Sequence, residues 1–355
     1  MTDDPRLCVL VLTGFLGSGK TTLLQQLMQR PEWSDTAVIV NELGEMGLDH
    51  LLVQHVAPDV QVLPNGCVCC TVSEDLIDTL TDLHARRQRG ELAFARVVVE
   101  TTGLADPLPL LHTLATHDAL ARRFRVSGVA VTVDACNGAA TLQRHEEARR
   151  QVAMADTLLL TKTDLAGAPA LQALQQCLAR TNGSAPQHLV VQGQLDSAHL
   201  QDLEHQFLAR PRSSPGLPGI GRGWLLRGAP GQEPPLSSVL HRFAPPHATD
   251  IVTECFALDE PLQADVFQHW LELMAAMRGD HMLRFKGLIQ VADDPDRPLV
   301  VHAAQHLVHP PRRLPAWPGA DRRSLLVFIT QGMEPGLIAR TLQKFTGALA
   351  FASHA

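Results

Sequence analysis

The chain has 355 residues, 45% hydrophobic and 19% charged, the balance of a globular rather than a disordered protein, and it is long enough for two domains. Lys plus Arg (30) against Asp plus Glu (37) leave a net charge of −7, with aromatics at 4% and no Tyr. This excludes a general nucleic-acid binder, which needs a basic face or a row of stacking rings.

No apolar run reaches the ~18 residues of a membrane helix. Asp3 and Asp4 precede the first apolar run, where a signal peptide would carry basic residues. A cytoplasmic protein with no nucleic-acid or membrane partner is expected.

Residues 7–12 (LCVLVL) lack a helical period and read as a buried parallel strand. They lead into Gly14-Phe15-Leu16-Gly17-Ser18-Gly19-Lys20-Thr21-Thr22, which fits G-x-x-x-x-G-K-[ST] ahead of a helix predicted over 20–30. Glycines let backbone N–H groups turn inward around an anion, and the helix adds its positive end. Gly14, Gly17, Ser18 and Gly19 are therefore assigned to phosphate binding. Lys20 places a charge on the β- and γ-phosphates, and the Thr21 hydroxyl is a hard oxygen ligand suited to Mg²⁺.

After a second predicted strand, 36–40, the segment Asn41-Glu42-Leu43-Gly44-Glu45-Met46-Gly47-Leu48-Asp49 carries three acids and two glycines. It reads as a switch loop ordering on a triphosphate, with an ordinary acidic surface loop as the alternative. Next comes Gly66-Cys67-Val68-Cys69-Cys70. Seven cysteines, an odd number, do not suggest a disulfide framework. In an extended segment Cys67 and Cys69 share one face, and Cys70 joins them at a turn. Three thiolates suit Zn²⁺, and Co²⁺ less tightly, with a fourth position open for exchange. Redox chemistry and inert buried thiols are the other readings.

A helix over 73–89 precedes a strand at 96–99, which ends at Glu100 with Thr101-Thr102-Gly103 behind it. A strand-end acid lies where ligands of open α/β sheets bind. Glu100 would hold a Mg²⁺-bound water and Gly103 would offer its N–H to the γ-phosphate; a solvated Glu is the alternative. Strands at 128–133, 157–160 and 188–191 alternate with helices at 108–120, 139–153 and 168–181. The pattern predicts an α/β fold, a P-loop NTPase with a doubly wound, mostly parallel sheet. Thr161-Lys162-Thr163-Asp164 follows a strand: Asp164 would accept both guanine donors while the Lys162 stem covers the ring. The usual guanine motif begins with Asn, and Thr161 stands in its place.

The expected boundaries are 1–210 for this domain, a Pro- and Gly-rich linker at 211–248, and a smaller α+β C-terminal domain at 249–355. The last would hold strands at 250–258, 284–292, 298–303 and 324–330 and helices at 262–278 and 335–345. In the first helix Val266, Phe267, Trp270, Leu271, Met274 and Met277 form a core stripe.

Together these motifs resemble the CobW/HypB/UreG-like GTPases, the CobW-type metal chaperones in particular. The likeness rests on TGFLGSGKTTLL (13–24), NELGEMGLD (41–49), NGCVCC (65–70), ETTGLADP (100–107) and TKTD (161–164). In the second half it rests on MLRFKGLIQV (282–291), Val301-His302, Trp317-Pro318 and LLVFIT (325–330). The resemblance implies a slow GTPase, cycling between GTP and GDP, that couples nucleotide state to transfer of metal to a metal-dependent client protein. It implies Gly17, Gly19, Lys20, Thr21 and Thr22 on phosphates and Mg²⁺, with Glu42 and Glu100 near the metal and γ-phosphate. It implies Lys162 and Asp164 on guanine, and Cys67, Cys69 and Cys70 on Zn²⁺ or Co²⁺. Lys20, Glu42 and Glu100 are the expected catalytic residues. Cobalt delivery for cobalamin or to a nitrile-hydratase-like client, an ATPase or kinase on the same loop, and a passive zinc buffer are the competing readings. His302, His306 and His309 are assigned packing or surface roles, with auxiliary metal loading as the alternative. The oligomeric state is left open.

Overall fold

Seven consecutive buried residues, Leu7–Thr13, make the central strand β1. Continuous burial of this kind is what a parallel strand covered on both faces requires. A computed structural model describes residues 6–40, 60–62, 71–195, 251–309, 311–317 and 321–347. The described chain falls into two compact units, the first holding the described residues up to 178 and 185–195, the second holding 179–184 and those from 251 onward.

The first unit runs β1, α1 (Lys20–Met28), β2 (Thr36–Val40), β3 (Val60–Val62), α2 (Thr71–Gln88), β4 (Arg96–Glu100), α3 (Leu108–Thr116) and α4 (Asp118–Ala121). It continues with β5 (Phe124–Asp134), α5 (Gly138–Arg144), α6 (Glu146–Met154), β6 (Thr157–Thr161), α7 (Ala168–Thr181), β7 (Gln187–Val191) and β8 (Gln194–Leu195). Its sheet has the order β3-β2-β4-β1-β5-β6-β7-β8. Every pairing is parallel except β7 with β8. The carboxyl ends of β1, β4, β5 and β6 therefore share one edge, with Leu12 opposite Glu100 and Asp134 opposite Thr161. Leu23, Leu24 and Leu27 of α1 pack with Leu10, Leu12, Val38, Val40 and Val98. Each such leucine contributes roughly 1.5–3 kcal/mol by leaving water.

In the second unit β9 (Ile251–Leu258), β10 (Met282–Ile289), β11 (Leu299–Ala304), β12 (Leu307–Val308), β13 (Arg312–Arg313) and β14 (Ser324–Gln331) form an antiparallel sheet. Helices α8 (Ala264–Arg278) and α9 (Leu337–Thr346) cover it. Its centre is aromatic: Phe285 and Phe328 lie 4.5 Å apart between ring centroids, and Trp270 meets Phe328 edge-on at 6.0 Å.

Three details depart from the sequence expectations. The helices expected at 108–120 and 139–153 are each broken, at His117 and His145, where the backbone becomes extended. At His145 the break brings the imidazole to 4.5 Å from the Phe15 ring, a tertiary contact that outweighs helical continuity. β8 was not anticipated; Gln192 and Gly193, both at positive φ, make the tight turn that returns it onto β7. Met277 is 74% exposed, not core. It lies in the last turn of the helix, beyond Met274 and Ala275, the last buried residues of the stripe. The expected linker at 211–248 lies outside the described residues.

Candidate functional site

The segment from Thr13 to Lys20 leaves β1 and winds into α1. Gly14 (φ 144°), Gly17 (φ 70°) and Gly19 (φ 86°) all sit in backbone that L side chains rarely adopt. A Cβ on Gly14 would also collide with the Thr132 carbonyl and hydroxyl. The turn closes with Ser18 N–H donating to Phe15 O at 3.1 Å. Lys20, buried at the start of α1, donates from Nζ to Gly14 O at 2.9 Å and Phe15 O at 3.4 Å. The first turn of α1 holds no acid, so its positive end is left for an anion.

Beneath the loop lies a floor of hydroxyls supplied by four strands. Ser18 Oγ and Thr132 Oγ1 are 2.7 Å apart, and Thr101 Oγ1 donates to Thr13 Oγ1 at 2.7 Å. Thr161 Oγ1, at the end of β6, donates to Ser18 O at 2.7 Å and lies 3.3 Å from Val133 O. Thr161 is 4% exposed. Its hydroxyl therefore holds the phosphate loop, and nothing in that geometry bears on which base is read.

At the mouth of the loop Thr21 Oγ1 donates to Glu100 Oε1 at 2.9 Å. A hydroxyl and a carboxylate oxygen, both hard donors and brought together by α1 and β4, fit Mg²⁺. Gly103 lies three residues past Glu100, against the phosphate loop. A Cβ there would stand 2.6 Å from Leu16 Cδ2 and 2.7 Å from Leu16 N. Thr22 is exposed on α1.

Lys162 adopts φ 56°, unusual for a side-chain-bearing residue. Its ammonium donates to Asp134 Oδ2 at 2.8 Å. Asp134 Oδ1 accepts from the Cys136 N–H at 2.7 Å, and Asn137 donates to the same carboxylate. Burial alone would raise the Asp134 carboxyl, but the Lys162, Cys136 and Asn137 bonds together hold it below the usual carboxylate range. Asp164 is exposed two residues on. Asp134 was missed in the sequence. It is a strand-end acid like Glu100, but only the fold brings β5 beside β6 and so pairs it with Lys162.

Gly14, Gly17, Ser18, Gly19, Lys20, Thr21, Glu100, Gly103, Lys162 and Asp164 thus gather along one sheet edge. Glu42, with the rest of 41–49, and Cys67, Cys69 and Cys70 lie outside the described residues. Glu42 stands two residues past Val40, the last residue of β2, which pairs with Glu100. Among the described residues no three His, Cys, Asp or Glu side chains are grouped to hold a metal ion, and no helix is long and apolar enough to cross a membrane. His306 is engaged locally: its ring nitrogens lie 2.7 Å from Ala275 O and 3.0 Å from Asp280 Oδ1.

A parallel sheet with a glycine-lined loop, a buried lysine and a threonine–glutamate pair at its carboxyl edge is the architecture of a P-loop NTPase. The chain belongs to the CobW/HypB/UreG family: the CobW/HypB/UreG nucleotide-binding domain matches residues 8–189, and the cobalamin synthesis protein CobW C-terminal domain matches 251–346. It is similar to the zinc chaperone YjiA of Escherichia coli, 33% identical over 91% of this chain and 93% of that one. It is also similar to the zinc-regulated GTPase metalloprotein activator 1 of Schizosaccharomyces pombe, 35% identical over 57% of this chain and 50% of that one. The crystal structure of zinc-bound YjiA GTPase from E. coli superposes with a TM-score of 0.64 at 26% identity, covering 96% of this chain and 99% of that one. A zinc-bound triple mutant of YjiA superposes at 0.67 with the same coverage.

Proposed function

We propose that the chain is a GTP-hydrolysing metallochaperone that binds Zn²⁺ through Cys67, Cys69 and Cys70 and hands it to a metal-dependent client according to its nucleotide state. The observation that carries the reading is the Thr21–Glu100 pair at the mouth of the glycine cradle, in a chain whose near-full-length relative is named a zinc chaperone. The name of the S. pombe relative joins GTPase to zinc regulation and supports the same pairing of activities.

In this proposal the backbone N–H groups of Gly17, Ser18 and Gly19, the end of α1 and Lys20 hold the β- and γ-phosphates. Thr21, and Glu100 directly or through a water, would hold Mg²⁺, which would spread the negative charge developing on the phosphate oxygens. Lys162, steadied by Asp134, covers the guanine, and Asp164 accepts its paired donors. Glu42, two residues past the end of β2, orients the attacking water. Water adds to the γ-phosphorus, the bond to the β–γ bridging oxygen breaks, and GDP and phosphate leave. The 41–49 segment, drawn to the γ-phosphate, would couple this step to the thiolates downstream.

The test is the triple Cys67→Ser, Cys69→Ser, Cys70→Ser variant, assayed for zinc binding, guanine-nucleotide binding and phosphate release. Zinc binding is expected to vanish while GTP binding persists. Zinc binding that survives overturns the ligand assignment. Absence of phosphate release from GTP in the unmutated protein leaves a passive zinc buffer instead.

A further inference from the structure

Two adjacent residues of α6 are committed to the segment that follows β4. Gln151 is 1% exposed, and its Nε2 donates to Gly103 O at 3.2 Å and to Ala105 O at 2.9 Å. Beside it Arg150 holds Glu146 of its own helix through Nε at 3.1 Å and Nη2 at 3.0 Å and reaches Asp106 Oδ2 through Nη1 at 3.4 Å, while Asp106 Oδ1 accepts the Leu108 N–H at 3.0 Å. One turn of helix therefore holds Gly103, Ala105 and Asp106 together. The other end of the Gln151 amide, Oε1, is buried without a hydrogen-bond partner. The amide thus satisfies two backbone carbonyls that an apolar Met or Leu would leave without this donor, while its own oxygen stays unpaired.

Across the loop Gly103 abuts Leu16 closely enough that any Cβ would strike it. A cavity of about 250 Å³ opens beside this crossing, lined by Leu16, Ser18, Thr132, Leu142, Gln151 and Val152. From the α6 side, Gln151 and Arg150 make the hydrogen bonds to the 103–106 segment.

We propose that Gln151, seconded by Arg150, is the positioning residue that keeps Gly103 within reach of a γ-phosphate, and that it thereby sets the preference for triphosphate over diphosphate. This rests on the guanine-nucleotide reading above and adds a residue to it. GDP has no γ-phosphate, so its affinity is independent of the latch.

The experiment titrates the full chain, as wild type, Gln151→Met and Arg150→Ala, with a non-hydrolysable GTP analogue and with GDP, and measures GTP turnover. Gln151→Met is expected to keep GDP affinity within about twofold, to lose about tenfold or more in analogue affinity, and to lower kcat. Arg150→Ala, half-exposed in the wild type, is expected to shift the same ratio less. Equal losses for both nucleotides would reduce Gln151 to a structural residue, and no change for either would end the proposal. Should Gln151→Met fail to fold, the Arg150→Ala ratio decides alone: selective loss of the analogue supports the latch and a parallel loss overturns it. A wild type that binds neither nucleotide refutes the guanine-nucleotide reading and the latch with it; a wild type that binds both, matched by Gln151→Met, refutes only the latch.

Discussion

Thr161 shows how one hydroxyl can matter without touching a ligand. Buried under the phosphate loop, it donates to the Ser18 carbonyl at 2.7 Å. Thr161→Val keeps the branched shape and removes the donor, so the protein is expected to lose about 1–3 kcal/mol of stability and to bind nucleotide more weakly. Thermal unfolding and GDP titration check this, and an unchanged variant contradicts it. Asp134 gives a pH signature. Its carboxyl is held below the ordinary value near 4. A depressed folded value contributes stability that is present above the unfolded pKa and lost as pH falls through the folded one. Asp134→Asn is therefore expected to be less stable at neutral pH, with the gap to wild type closing below about pH 4. A gap constant from pH 7 to pH 3 in urea unfolding would contradict the assignment. Neither role was legible in the sequence. Thr161 looked like a defect in a base-reading motif, because its partner lies 143 positions earlier. Asp134 drew no attention, because its partner arrives on the neighbouring strand.

At the scale of elements the phosphate loop was the most legible feature. Strand, glycines, lysine and helix are consecutive, and each residue type is dictated by local backbone chemistry. The six main strands of the first unit were legible too: burial on both faces leaves unbroken apolar runs in the central ones, whereas β7 alternates buried and exposed residues. The breaks at His117 and His145 were not, because no Pro or Gly marks them and the second is associated with a contact to Phe15. The segment after β4 is where local reading and tertiary packing meet. Gly103 was chosen as a donor toward phosphate, yet its lack of a side chain is also a packing requirement against Leu16. Gly103→Ala is expected to displace one loop or the other, at roughly 1–3 kcal/mol of overpacking, and to weaken binding of a GTP analogue about tenfold or more. Isothermal titration measures this; analogue affinity equal to wild type would show that the crossing yields freely.

At the scale of the molecule, the family match spans both units, 8–189 and 251–346. The hydrolytic edge is described residue by residue, whereas the thiolate cluster was legible only as a spacing of cysteines and a resemblance. In the proposed function the two are joined by the residues that follow Val40, which pairs with Glu100 at the phosphate edge. Coupling between them is expected to change zinc affinity about 100-fold between nucleotide states, which is about 2.7 kcal/mol and within the usual allosteric range. The decisive measurement is zinc affinity by chelator competition, taken once with a GTP analogue and Mg²⁺ and once with GDP. The account predicts two affinities about two orders of magnitude apart; a single affinity in both states would contradict it.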